Sequence, residues 1–274
     1  MSRYEIVVTP SGASALRERA SGEVMHPGAG PLIESQRLYV TPSRLVARLA
    51  AEHPEPLVLF DVGLGAGSNA AAAWCASEQR TQPGRKLEII SFDRTDAALD
   101  VALRPEHAAA FGFDAQGRCA GQQLLAERCA RGLHTRWQLR LGDFAAEFAR
   151  AFGTQADVVF WDPFSPRVDP SAWSVAIFSA LRRCCRSGAT VHTYSAATST
   201  RAALLLAGFA VGLEYAASNK QRHSTMAAID LGDLRRPLPQ SWLEHFARSN
   251  AGWPHDAPVD AVERISALPQ FRRP

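Results

Sequence analysis

Residues 57–74, LVLFDVGLGAGSNAAAAW, constrain the fold of this chain more than any other stretch. The apolar run 57–62 has the length of a buried strand and stops at glycines. The alanine-rich segment 69–77 reads as a helix. Gly63, Gly65 and Gly67 fall between them and demand a tight turn. A glycine turn between a strand and the helix that follows lies at the carboxyl edge of a sheet. That is where open α/β sheets bind their ligands, and glycine lets backbone approach a ligand with no Cβ in the way.

The rest of the chain continues the rhythm. Further strands are expected at 87–92, 136–141, 157–161 and 190–194, with a closing antiparallel pair at 211–215 and 225–229. Helices are expected over much of 95–131 (with a loop around 112–121), at 144–152, at 171–186 behind an N-cap serine, and at 198–207 before Gly208. Strands alternating with helices imply an α/β fold with a mostly parallel sheet covered on both faces. The division expected is an N-terminal β-rich extension over 1–50, a core over 51–232 and a peripheral tail over 233–274. The extension is read as short strands and a loop laid over one edge.

Composition excludes several classes. A chain of 274 residues can bury a large core, and a formal charge of +3 forces no strongly basic partner surface. No apolar run reaches the roughly 20 residues that span a bilayer. The first residues, MSRYEIVVTP, lack the pattern of a signal peptide. The five cysteines are odd in number and form no C-x-x-C pair, so neither a disulfide framework nor a metal site is expected. Reduced thiols and a cytoplasmic location follow as expectations.

Acids at successive strand ends sharpen the ligand. Asp61 precedes the first glycine, where an acid can meet the methionyl part of S-adenosylmethionine. Asp93 ends the second strand, where a carboxylate can accept from both ribose hydroxyls. Asp143 follows Gly142 after the third, within reach of an adenine amino group. Residue 68 is serine, where a dinucleotide fingerprint wants glycine or alanine, which disfavours a nicotinamide oxidoreductase. A plain tight turn with the acids as helix caps is the alternative on these residues. The fourth strand ends in WDPFSP. Methyl transfer is an in-line displacement, and an amine nucleophile must arrive neutral or lose a proton nearby. Asp162 is placed to accept that proton or to orient the N–H. Pro163 can narrow the pocket, and Phe164 or Trp161 can stack on a flat base. The alternative for Asp162 is an ordinary turn opener.

Four segments together resemble the MnmC-like methyltransferases: GEVMHPGAGPLIESQRLYV (22–40), DVGLGAGSNAAAAW, WDPFSPRVDPSAWSVAIFSAL (161–181) and SGATVHTYSAATSTRAALLLAGFAV (187–211). The resemblance covers about residues 5–230. It implies a class I S-adenosylmethionine-dependent fold with a mostly parallel seven-stranded sheet, and S-adenosylmethionine as cofactor. It implies methylation of the primary amine of a 5-aminomethyluridine-type tRNA. Carried over, the glycine loop, Asn69, Asp93 and Asp143 bind cofactor, Asp162 faces the reacting amine, and Glu34 and Tyr39 line the same cleft. The bifunctional members carry a second, FAD-dependent oxidase half, for which this chain is too short, so a separate oxidase partner is implied. The family's dense basic cluster is thinned here to Lys220 and Arg222 within ASNKQRHSTM, residues 217–226, which remain the phosphate contacts expected for tRNA. A small-molecule amine, a protein amine or a non-catalytic binding role stay open as alternatives.

Other residues carry weaker signals. His26 in MHPG is either a ligand contact or a solvated loop histidine. His192 reads as a hydrogen-bonded core residue. Arg182, Arg183 and Arg186 read as the solvated last turn of a helix, and Trp242 and Trp253 as anchors of the tail.

Overall fold

The structure is a computed structural model, and it describes residues 2–151, 153–214, 223–247 and 253–272. The N-terminal segment forms strands β1 (Tyr4–Val8) and β2 (Ser14–Glu18), then α1 (Pro31–Ser35), a π-helical turn (Gln36–Val40) and α2 (Leu45–Ala50). The core follows as β3 (Leu57–Val62), α3 (Ser68–Glu78), β4 (Leu87–Asp93), α4 (Ala97–Ala102), α5 (Ala115–Glu127), β5 (Cys129–Arg131) and β6 (Thr135–Leu141). It continues with α6 (Phe144–Arg150), β7 (Ala156–Trp161), α7 (Val175–Arg183), β8 (Cys185–Thr193), α8 (Thr198–Leu206), β9 (Ala210–Leu213) and β10 (Thr225–Ala228). Helices α9 (Gln240–Ala247) and α10 (Ala261–Ser266) lie in the tail.

The main sheet has the order β5-β6-β4-β3-β7-β8-β10-β9. Strands β6, β4, β3, β7 and β8 are parallel, β10 runs antiparallel to both β8 and β9, and β5 is antiparallel to β6. The expected α/β fold with its mostly parallel sheet is present. From β3 the chain moves to β4 on one side and later returns to β7 on the other. A crevice therefore opens between the carboxyl ends of β3 and β7, the topological switch point. All six residues of β3 are buried, as in a strand covered on both faces. Leu57 and Leu59 point into a core shared with Tyr39, Trp74 and Trp137. Val58, Phe60 and Val62 point into a second core with Phe148, Phe178 and Phe246.

Several expectations are corrected. The first fifty residues supply one antiparallel hairpin and then helix, not a β-rich extension. Pro31 starts α1, and buried Pro31, Ser35, Leu38 and Tyr39 recur at helical spacing. The segment also covers a sheet face rather than an edge: the Arg48 guanidinium on α2 donates to the Asp157 carbonyl of β7. The loop expected around 112–121 is shorter, because Asp114 caps α5 through the Gly117 N–H. Gly121 lies inside the helix, where a Cβ would sit 2.6 Å from a Leu103 methyl, so this glycine serves close packing. An eighth strand, β5, extends the expected seven at the edge from within a stretch read as helical. Helix α7 is capped by Ser174, whose hydroxyl accepts from the Ile177 N–H, rather than near Ser171, which instead donates to Asp169. Arg182 and Arg183 occupy the last turn of α7, but Arg186 is in β8 and pairs with Glu55. The tail closes the second core through Leu238, Leu243, Phe246, Ile265 and Phe271. Trp242 stacks on Phe246 and Phe271, and Trp253 meets Phe246 edge-on. Among the described residues, no helix is long and apolar enough to cross a membrane.

Candidate active site

The chain turns after β3 on glycines with left-handed backbones, Gly63 at φ +85°, Gly65 at +51° and Gly67 at +82°. At Gly63 the reason is steric as well as torsional. A Cβ there would lie 2.6 Å from the Asp162 carbonyl carbon and oxygen and from the Pro163 nitrogen. The end of β3 thus presses directly on the start of the DPF segment after β7, and the Asp162 N–H donates to the Val62 carbonyl. One side of the crevice delivers the glycine loop, and the other delivers Asp162.

Asp162 is the centre of a buried polar cluster. Its Oδ1 accepts from the Tyr39 hydroxyl at 2.6 Å, and its Oδ2 accepts from the Asn69 amide at 2.7 Å. Asn69 is itself oriented by Ser35, whose hydroxyl donates to the Asn69 Oδ1 at 2.7 Å. The His26 imidazole lies between two carboxylates, with Nε2 3.7 Å from Asp162 Oδ2 and Nδ1 3.6 Å from Glu34 Oε2. Glu34 Oε1 also accepts from the Gly28 and Ala29 N–H groups, which fixes the HPGA loop. Glu23 takes both the N–H and the hydroxyl of Ser165, at 2.7 Å each, and ties the same N-terminal segment to the DPFS turn. The Tyr194 hydroxyl donates to the Pro163 carbonyl.

The electrostatics follow from burial and these partners. Burial raises the Asp162 carboxyl above the ordinary range, and His26, Tyr39 and Asn69 offset that only in part. For His26, burial opposes the charge, but the Glu34 carboxylate beside its Nδ1 and the charge of Asp162 win and hold the imidazole above its usual value. Glu34 is lowered: burial is outweighed by His26 and by the two backbone N–H groups. Burial pushes Asp61 up to about 7, with Ser91 pulling it down and Asp162 and Asp93 adding to the rise.

A cavity of about 1270 Å³ opens over this cluster, lined among others by Glu34, Gly63, Gly65, Asp93, Asp162, Pro163 and Phe164. It is large enough for a nucleoside-sized cofactor and part of a second substrate. Asp93 lines it with Oδ2 held by the Gly65 N–H and Oδ1 by the Arg94 N–H. Asp61 is buried beneath it. Its Oδ2 accepts from Ser91, itself held by the Trp137 indole N–H, while its Oδ1 has no partner among the described residues. A glycine cradle that a Cβ would fill, a carboxylate on the cavity wall and an unsatisfied buried acid oxygen suit an adenosyl amino-acid ligand such as S-adenosylmethionine.

Not every expected contact falls on the cavity wall. Tyr39 and Asn69 lie behind Asp162 and orient it, rather than lining the cavity. Asp143 caps α6 through the Ala145 and Ala146 N–H groups, with its side chain 62% exposed and outside the lining. Of the two aromatics in the WDPF stretch, Phe164 faces the cavity. Trp161 is fully buried against Phe144, Phe148 and Phe178, because its neighbour Asp162 takes the turn position instead. Lys220 and Arg222 lie outside the described residues. His192 is buried against Thr190, with its pKa pushed down to about 3 by burial and by the charges of Arg48 and Arg235. Sequence reasoning missed Ser35, Glu23, Tyr194 and the clamped state of His26. The only local signal was a histidine in a Pro/Gly loop shortly before an acid.

Comparisons with known proteins agree with this geometry. Residues 120–230 match a family described as S-adenosyl-L-methionine-dependent methyltransferase. The tRNA 5-methylaminomethyl-2-thiouridine biosynthesis bifunctional protein MnmC of Azoarcus sp. (strain BH72) is 29% identical over 271 residues, covering 95% of this chain and 41% of that protein. The protein of the same name from Pseudomonas aeruginosa (strain UCBPP-PA14) is 32% identical over 203 residues, covering 70% of this chain and 30% of that one. The chain therefore spans well under half the length of these curated relatives. MNMC2 from Aquifex aeolicus matches with a TM-score of 0.75 at 25% identity, over 98% of this chain and 87% of that one. Spermidine synthase from Thermotoga maritima shares the fold, with a TM-score of 0.54 at 12% identity over 97% of this chain and 84% of that one.

Proposed function

Because the chain belongs to the MnmC-like S-adenosylmethionine-dependent methyltransferases, we propose that it methylates the exocyclic amine of an aminomethylated wobble uridine in tRNA. The observation that carries this reading is Asp162. It is a buried carboxylate one peptide contact from the glycine loop, held by two donors, Tyr39 and Asn69, with the His26 imidazole 3.7 Å away, at the switch point of the sheet.

When bound, S-adenosylmethionine supplies an electrophilic methyl group on sulfur. The backbone of the 63–65 loop and Asp93 would hold it. Asp162 would then hold an amine N–H so that the nitrogen lone pair lies along the line of attack, and positioning of this kind is the main contribution an enzyme makes to a displacement. Tyr39 and Asn69 each occupy one oxygen and fix the carboxylate plane, which leaves lone-pair capacity for the substrate. Its raised pKa makes it a better proton acceptor than a solvated aspartate. Phe164 and Tyr194 furnish flat apolar surface on the cavity wall against which a base can lie. Cytoplasmic tRNA is the substrate in this reading, and an oxidase partner supplies the aminomethyl group.

The test is incubation with S-adenosylmethionine and a tRNA pool, followed by mass analysis of the digested nucleosides. A methylaminomethyl uridine should appear with the wild type. It should fall by about 10²–10⁴-fold in Asp162→Asn, whose cofactor binding is retained. Cofactor binding without any methylated nucleoside would move the acceptor to a small-molecule or protein amine.

A further inference from the structure

Methylating an ammonium releases one proton, and Asp162 alone cannot carry it away. We propose that His26, aimed by Glu34, receives through Asp162 the proton that the acceptor amine sheds. This rests on the amine-methyltransferase reading above.

Among the described residues, three groups reach the Asp162 carboxylate: Tyr39, Asn69 and His26. An amide has no proton to exchange. Burial first, and then the charge of Asp162, hold the Tyr39 phenol far above its ordinary value, so it keeps its proton. Imidazole is the one group of the three whose ordinary pKa lies near neutral pH, and here the carboxylates around it raise that value. Its two nitrogens face opposite carboxylates, Glu34 at 3.6 Å from Nδ1 and Asp162 at 3.7 Å from Nε2. With Nδ1–H directed at Glu34, the Nε2 lone pair of the neutral ring faces Asp162, the arrangement by which a carboxylate sets the tautomer of a catalytic base. Both contacts are longer than hydrogen bonds, as catalytic contacts often are before substrate arrives. The ring lines the cavity and is only 10% exposed, and its backbone sits at φ +53°. Few side chains tolerate that conformation, and histidine and asparagine are among them. The charged groups that face the imidazole are Glu34 from α1, Asp162 from the end of β7 and Asp61 from β3.

The step balances. The amine enters as R–CH2–NH3⁺, and one N–H bond breaks. The proton passes to an Asp162 oxygen and on to the His26 Nε2 lone pair, and the electron pair stays on nitrogen. That pair forms the new N–C bond to the methyl carbon. The C–S bond breaks, and its electrons remain on sulfur as a neutral thioether. The secondary ammonium product keeps one positive charge, and the released proton leaves His26 for water.

Two variants test the relay. His26→Asn suits the left-handed backbone, and Glu34→Gln keeps an acceptor for the Gly28 and Ala29 N–H groups. The first measurement is a histidine NMR titration of the substrate-free protein, with the His26 signals assigned by their loss in His26→Asn. The midpoint should lie above the ordinary value of about 6.5 and fall in Glu34→Gln. The second is the pH profile of methyl transfer on the same tRNA pool. His26→Asn should lose about 10²-fold near neutral pH, with the loss shrinking as alkaline conditions deprotonate the amine unaided. Its KM for S-adenosylmethionine should stay within about threefold, since the relay acts in the transition state and not in cofactor binding. A His26→Asn profile parallel to the wild type, or a His26 midpoint unmoved by Glu34→Gln, overturns the relay. If the wild type methylates no tRNA nucleoside, the acceptor reading fails instead, and the NMR titration alone decides the relay.

Discussion

Replacing Gly63 with alanine should break the contact on which the whole site depends. Two costs arise in different ways. The backbone at φ +85° is left-handed, which costs an L-residue about 1–2 kcal/mol. The added Cβ would also lie 2.6 Å from three backbone atoms of the Asp162–Pro163 peptide, where no side chain can rotate away. Overpacking of that kind costs about 1–3 kcal/mol more. The sum is about 2–5 kcal/mol, or a melting temperature lower by roughly 5–15 °C for a chain of this size. Relief requires β3 and the DPF turn to separate by some tenths of an ångström, which carries Asp162 away from Tyr39 and Asn69. Gly12 provides the control, because it has φ +82° but nothing within 4 Å of its would-be Cβ. Gly12→Ala should therefore show the backbone cost alone, about 1–2 kcal/mol. Urea unfolding of both variants measures the difference, and calorimetry with S-adenosylhomocysteine reports the site. If the two variants lose equal stability and Gly63→Ala binds like the wild type, the close approach of β3 to the Asp162 turn is not what the glycine serves.

Three further outcomes are expected. Asp61 has its folded pKa raised to about 7, so it binds more protons folded than unfolded, and its stabilising effect is present in acid and lost as pH rises toward 7. Asp61→Asn should match the wild type near pH 4 and exceed it by up to about 4 kcal/mol at pH 8; equal urea midpoints across that range would contradict the burial argument. The Arg85 guanidinium pairs with buried Asp157 at 3.2 Å and also donates to the Glu55 and Pro56 carbonyls. Arg85→Met should cost about 3–5 kcal/mol by stranding that carboxylate, and a change below about 1 kcal/mol would show the pair to be dispensable. Tyr39→Phe removes the 2.6 Å donor to Asp162. Stability should fall by about 1–3 kcal/mol and the acid limb of the pH–rate profile should move to higher pH, because the carboxylate loses a partner that favours its charge. A limb that stays in place would mean Asp162 does not titrate in the rate profile.

What the sequence determined by itself is local. The apolar period of 57–62, the glycines after it and the acids at the strand ends are properties of a few adjacent residues, and they led to the α/β sheet, the glycine turn and Asp162 at its lip. The same locality explains the errors. Residues 31–40 fall within the stretch read as short strands and a loop, and Gly117 and Gly121 look like a loop. The first is helical because Pro31, Ser35, Leu38 and Tyr39 share one buried face, the second because α5 must lie close on Leu103. Only the tertiary structure could show that Tyr39 and Asn69 serve Asp162, since the bonds join positions 123 and 93 residues apart. It also moved Asp143 to a helix cap, sank Trp161 into the second core and set His26 between Glu34 and Asp162. A sequence pattern reports the backbone a residue prefers and the face it buries. Which polar groups meet, and hence which protons can move, depends on how distant segments pack once those faces are covered.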